Sequence, residues 1–107
     1  MSSSIPVHLP QLDRYLIDVM KEFKRMWGPP NYTKVLNDHD SMLVKVITQN
    51  INATFECNFG ADQIFGRWNT LKEMFYTEYD RNGRSIRNYH GPFVPFFNLM
   101  TWLVVDT

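Results

Sequence analysis

Between Leu12 and Tyr79 the apolar residues of this chain return every third or fourth position, close to the period of an α-helical turn and far from the alternation of a strand. Leu12, Tyr15, Leu16, Val19, Met20, Phe23 and Trp27 make one such stripe. Asp13 and Asp18 stand early in it and Lys21, Lys24 and Arg25 late, the order that a helix macrodipole favours. Gly28-Pro29-Pro30 stops it, because proline cannot continue the hydrogen-bond ladder. The spacing predicts a first helix over 12–27.

A polar connector follows, in which Tyr32, Val35 and Leu36 are expected to pin the loop and Asp38 or Asp40 to cap the next helix. Met42, Leu43, Val46, Ile47, Ile51 and Phe55 again recur at helical steps. The β-branched residues among them lower helix propensity, yet the ladder Leu43, Ile47, Ile51, Phe55 does not alternate as a strand must. After Phe59-Gly60, a third helix is marked by Ala61, Ile64, Phe65, Trp68, Leu71, Phe75 and Tyr79 and is expected to end near Asp80. Its outward face should centre on Gly66, Asn69, Thr70, Glu73 and Thr77. Asn82-Gly83 signals a turn, and Gly91-Pro92 leads into a nearly continuous apolar segment from Phe93 to Val105. Pro95 is placed to open a short last helix with Phe96, Leu99, Trp102 and Leu103 inward. The chain thus reads as all-α: a flexible leader over 1–10, then one domain over 11–105, a compact three-helix bundle with a short C-terminal helix or packed tail.

With 107 residues, 44% of them hydrophobic, a core can form without disulfides or a metal. Cys57 is the sole cysteine, so no internal disulfide exists, and a reducing compartment fits best. No secretory signal and no apolar run long enough to span a bilayer is seen, so Asn31-Tyr32-Thr33 and Asn52-Ala53-Thr54 are read as chance glycosylation triplets. His8, His39 and His90 are too scattered for a metal site. Gly-rich phosphate loops, a serine elbow and a framed carboxylate pair are all missing. A non-enzymatic protein without cofactor or small-molecule substrate is expected.

At Arg67-Trp68-Asn69-Thr70-Leu71-Lys72 the chain resembles the third helix of a Myb/SANT-type domain, and in particular of the MADF subgroup, where Arg-Trp-x-x-Leu precedes aromatic and charged residues. Leu16-Ile17-Asp18-Val19-Met20 followed by Met26-Trp27 agrees with that subgroup's first helix. Pro95-Phe96-Phe97-Asn98-Leu99-Met100-Thr101-Trp102-Leu103 agrees with its closing aromatic pair and Leu-x-x-Leu-like tail. The resemblance spans residues 12–104 and rests mainly on the order and spacing of short motifs. It implies a helix-turn-helix-like module of nuclear chromatin or transcription-associated proteins, some members binding DNA through the third helix and others binding proteins. DNA-binding members usually carry Trp near the start of the second helix and a third helix rich in Lys and Arg. Here Leu43 and Val44 stand in the second helix, and the third is poor in bases.

Two function classes follow. Residues 61–80 hold Arg67 and Lys72 against Asp62, Glu73, Glu78 and Asp80, a net of −2, and carboxylates between two lines of phosphates oppose binding. Lys plus Arg equals Asp plus Glu at 11 each, which is not the balance of a domain that grips nucleic acid alone. If DNA or an acidic partner is bound, Arg67, Asn69, Thr70 and Lys72 would face it, with Arg81, Arg84 and Arg87 of the basic loop on its anions. The competing role for Arg67 is to pair with a carboxylate such as Glu78 or Asp80, or to lay its stem over Trp68. Phe93, Phe96, Phe97 and Trp102 are the candidate anchors for a protein partner. The balance favours a module acting in the nucleus through protein–protein contact, by recruitment or self-association, with direct duplex binding as the weaker alternative.

Overall fold

In the computed structural model, which describes residues 10–28, 30, 36–93 and 96–105, the helical period holds throughout, and no strand occurs among the described residues. The helices are α1 (Pro10–Met20), α2 (Asp38–Phe55), α3 (Ala61–Arg81), α4 (Phe96–Leu99) and α5 (Trp102–Val105), with one 3-10 turn at Lys24–Met26. The chain is therefore all-α, with three main helices and short C-terminal ones. Residues 1–9 of the expected leader, the pinning roles of Tyr32 and Val35, the Asn31 triplet and the Pro95 helix start lie outside the described residues. Pro10, placed in the leader by sequence, instead opens α1, where its missing N–H costs nothing.

α1 buries Leu12, Leu16, Ile17 and Met20 completely, yet it is shorter than its apolar stripe. The helix stops at Met20, and Phe23 leaves helical geometry at φ −125° and ψ 87°. The Trp27 indole then turns back, its Nε1 donating to the Met20 carbonyl at 3.0 Å, one of those a helix end leaves open. A 3-10 turn repeats every three residues, so Phe23 and Met26 keep an apolar spacing that pattern alone cannot distinguish from continued α-helix.

α2 is capped by Asn37 rather than by Asp38 or Asp40: its Oδ1 accepts the Asp40 N–H at 2.7 Å. Asp40 is buried, and its carboxylate accepts from Arg25 Nε at 2.6 Å. The inward face is Val44, Ile47, Thr48 and Ile51. Met42 and Val46, expected on the core stripe, are 60% and 45% exposed. Thr48 is tolerated inside because its hydroxyl donates to the Val44 carbonyl at 2.8 Å. Glu56 ends the helix in the left-handed region at φ 53°. Asn52 ties down the following loop, donating to the Phe59 carbonyl at 3.0 Å and accepting the Phe59 N–H at 2.8 Å.

Gly60 begins α3, with Gln63 Oε1 accepting the Gly60 N–H at 2.8 Å. Ile64, Trp68, Leu71 and Phe75 form its buried stripe. α1 packs on α2, α3 and α4, and α3 packs on α2 and α4, which puts the core where these elements meet. In the tail the fully buried residues are Phe97 and Met100, while Phe96, Leu99, Trp102 and Leu103, expected inward, are half-buried. Two separate turns of helix, rather than one continuous helix, shift the inward register there.

Removal of the Phe75 ring should leave a cavity that this packing cannot collapse. Phe75→Ala is expected to lower unfolding free energy in urea by about 3–5 kcal/mol. Met42→Ala on the outer face of α2 should change it by no more than about 0.5 kcal/mol. Equal effects at the two positions would contradict the assigned faces.

Candidate functional site

The candidate site is the exposed side of α3, and its character is decided by which side chains the helix keeps for itself. Arg67 lies on the α1 side, where Nε donates to Asp13 Oδ1 at 2.8 Å and Nη2 to Asp13 Oδ2 at 2.6 Å. Both side chains are nearly closed to water, at 10% and 4% exposure. The hydrogen bonds to Asp13 push the guanidinium pKa up, burial opposes this, and the Asp13 charge adds to the rise. Arg67 is therefore a permanent cation held by a permanent partner. The partner is Asp13 of α1, not Glu78 or Asp80.

At the next residue, Trp68 Nε1 donates to the Met26 carbonyl at 2.8 Å, and Lys72 Nζ donates to the same carbonyl at 3.1 Å and to that of Gly28 at 2.8 Å. Residues 68 and 72 are one helical turn apart, so both reach the loop after the 3-10 turn. The Lys72 ammonium also sits 5.5 Å from the Trp68 ring centre. Trp102 stacks on Trp68 at 6.0 Å and meets Trp27 at 4.7 Å, closing this corner. Asn69, expected at the centre of the outward face, is 1% exposed, and Thr70 bonds back to the Gly66 carbonyl at 3.0 Å. The exposed residues of α3 are Asp62, Glu73, Met74, Thr77, Asp80 and Arg81. Arg67, Asn69, Thr70 and Lys72 are not brought together on an open face.

The basic loop is only partly separate from the helix before it. Arg81 Nη1 donates to Glu78 Oε2 at 3.0 Å, and Arg84 Nη1 to Asp80 Oδ1 at 2.6 Å, with the Arg84 guanidinium carbon 5.2 Å from the Tyr79 ring centre. These are surface pairs on the arginine side, each 71% exposed, so they hold the loop weakly. Arg87 is exposed, and its backbone N–H donates to Ser85 Oγ at 3.1 Å.

Beside Arg81 a cleft of about 280 Å³ opens between Glu73, Met74 and Thr77 of α3 and Pro92 and Phe93 of the loop. Glu78 also lines it, and Tyr89 ties Glu78 to Phe93. The Tyr89 hydroxyl donates to Glu78 Oε1 at 2.8 Å and accepts the Phe93 N–H at 2.9 Å. Burial, opposed by the Phe93 N–H and reinforced by Glu78, raises the Tyr89 pKa. The Tyr89 ring lies on Phe97 at 3.9 Å between centres. Gly91 is closely overlaid: a methyl group there would fall 2.6 Å from Glu78 Oε1 and collide with the Tyr89 hydroxyl, so those side chains would have to shift.

Of the expected anchors, Phe93 is 5% exposed and lines the cleft, Phe97 is fully buried, and Phe96 and Trp102 are half-buried against neighbouring rings. The exposed apolar residue at this site is Met74, at 41%. Sequence reasoning missed Asp13, Met74 and the Glu78–Tyr89 pair; only the Glu78/Arg81 spacing of three residues offered a signal. Among the described residues no group of three His, Cys, Asp or Glu side chains could hold a metal, and no helix is long and apolar enough to cross a membrane. The Cys57 thiol rests against Asn52 Oδ1 at 3.3 Å, and burial raises its pKa.

Truncating one side of the Asp13–Arg67 pair should strand a buried charge. Asp13→Ala is expected to cost about 3–5 kcal/mol in denaturant unfolding, and the double variant Asp13→Ala/Arg67→Met should recover most of it. Additive losses in the double variant would show that the two groups do not depend on each other. Gly91→Ala should cost about 1–3 kcal/mol by overpacking the Tyr89–Glu78 contact, with thermal unfolding as the measure.

Comparison of the chain with protein-family models, with curated proteins and with solved structures gives no match.

Proposed function

We propose that this chain is a non-enzymatic protein-docking module that recruits a partner through the cleft at the C-terminal half of α3. The observation that carries this is the inward fate of Arg67 and Lys72. With both cations consumed by the fold, α3 presents three carboxylates, Met74, Thr77 and an arginine already paired with Glu78. Such a face repels a phosphate backbone and suits a partner of opposite charge.

The cleft defines what that partner offers. Met74, Pro92 and Phe93 give an apolar floor, and Met adapts its shape to different side chains. Glu73 is exposed at the rim and carries no internal ion pair among the described residues. The fitting ligand is a peptide segment with one unbranched or aliphatic side chain next to a Lys or Arg. The MADF-like order of Leu16-Ile17-Asp18-Val19-Met20, Arg67-Trp68 and the Phe96-Phe97 tail supports a setting in nuclear chromatin or transcription assemblies.

Calorimetric titration with peptides that vary an apolar and a basic position is the direct test. Binding is expected for basic–apolar peptides, weakened at least about tenfold by Met74→Asp and by Glu73→Lys. Duplex DNA at low salt should give no saturable binding. Salt-dependent DNA affinity that falls on changing Arg81, Arg84 and Arg87 to alanine would overturn the proposal in favour of duplex recognition.

A further inference from the structure

The basic loop after α3 walls a second cleft, of about 310 Å³, which shares Glu78 and Arg81 with the first and includes Asn88 and His90 in its lining. Glu78 is its sole acidic residue. That carboxylate is already spent: its side chain is 10% exposed, Oε1 accepts from the Tyr89 hydroxyl and Oε2 from Arg81. Donors, by contrast, are in surplus. Arg81 gives one hydrogen bond to Glu78 and keeps the rest of its fork in water, at 71% exposure. The Asn88 and His90 side chains are exposed and make no hydrogen bond or ion pair among the described residues. From residue 78 to residue 90, Arg81, Arg84 and Arg87 outnumber Glu78 and Asp80.

The loop is also held from within. Asn82 Nδ2 donates to the Ser85 and Arg87 carbonyls at 2.7 and 3.0 Å, and the Arg84 N–H donates to the Tyr79 carbonyl at 2.8 Å. A loop pinned in this way loses less freedom when it takes a ligand.

We infer that the second cleft receives a phosphorylated serine or threonine of the same partner segment whose apolar and basic side chains enter the first, so the inference rests on the docking role proposed above. A carboxylate has two oxygens, which one arginine fork satisfies. A phosphoryl group has three and carries nearly two negative charges, and so can use Arg81, Asn88 and His90 together. Clustered arginines are a recurring means of holding such groups. Glu73, at the rim of the first cleft, and Arg81 stand about 12 Å apart along α3. An extended segment advancing about 3.3 Å per residue covers that in about four residues, which sets the spacing between its basic and phosphorylated positions. A nucleic-acid backbone does not fit the same description, because its recurring phosphates would also have to pass the exposed Glu73 and Asp80.

Calorimetric titration of the whole chain with one basic–apolar peptide tests this, the peptide carrying serine, phosphoserine or glutamate four residues to either side of the basic position. Phosphoserine on one of the two sides is expected to tighten binding at least about tenfold over serine, and glutamate by less. Moved next to the basic residue, phosphoserine should lose that gain. The phosphoserine-to-serine affinity ratio should fall to within about twofold in Arg81→Gln and part of the way in the exposed His90→Ala, with helical circular dichroism confirming that both variants are folded. A gain that survives both substitutions, or that ignores the position of the phosphoserine, overturns the inference. An equal gain from glutamate overturns the phosphoryl assignment. If the serine peptide binds and phosphoserine adds nothing, the second cleft alone is refuted; if no form binds, the docking role falls and the inference falls with it.

Discussion

Arg67 and Asp13 are both nearly withdrawn from water and are joined by two hydrogen bonds across the junction of α1 and α3, so each supplies there the counter-charge that solvent no longer does. The pair is a demanding contact. Sliding α3 by one residue along α1 would leave two buried charges unmatched, whereas apolar contacts such as those of Leu71 or Ile64 would merely repack. Placement of the long α3 helix is thereby tied to the first turn of α1, and the position of everything attached to α3 follows. The Met26 carbonyl makes a second tie of the same kind, since two donors one helical turn apart converge on it.

These two ties decide what is left for partners. A helix with two basic residues before its last turn has used both for its own placement, and the residues it shows to solvent are mostly acidic or neutral. Arg81 at the end of α3 and Arg84 in the loop beyond it lean back on Glu78 and Asp80. Structure and surface charge are thus one problem here: the two cations in the body of α3 are the ones that hold it in place.

Much of the fold was legible because helical periodicity depends only on local spacing, and α2 and α3 were bounded within a few residues by Gly60 and the Asn82-Gly83 turn. α1 was overextended because a 3-10 turn preserves apolar spacing while changing the backbone, and the indole that closes it acts from seven residues away. The α2 face was turned because Val44 and Met42 are equally apolar on paper, and tertiary contact chose between them. The site was far less legible. Asn69 looks outward by periodicity but is drawn in, and no sequence rule pairs position 13 with 67 or position 78 with 89. Short-range chemistry such as the Asn37 cap or the Gln63 return bond is readable in principle, because donor and acceptor lie three residues apart.

All three indoles of the chain meet at one corner, Trp27 and Trp68 on either side of Trp102. The molecule therefore carries a built-in optical gauge that senses a single place, the seating of α5 against α3 and the loop beyond the 3-10 turn. Ultraviolet emission and the near-ultraviolet dichroism of coupled indoles will respond when that corner opens. They will be silent to events along the outside of α2, which holds no tryptophan, so an unchanged spectrum says nothing about what happens there.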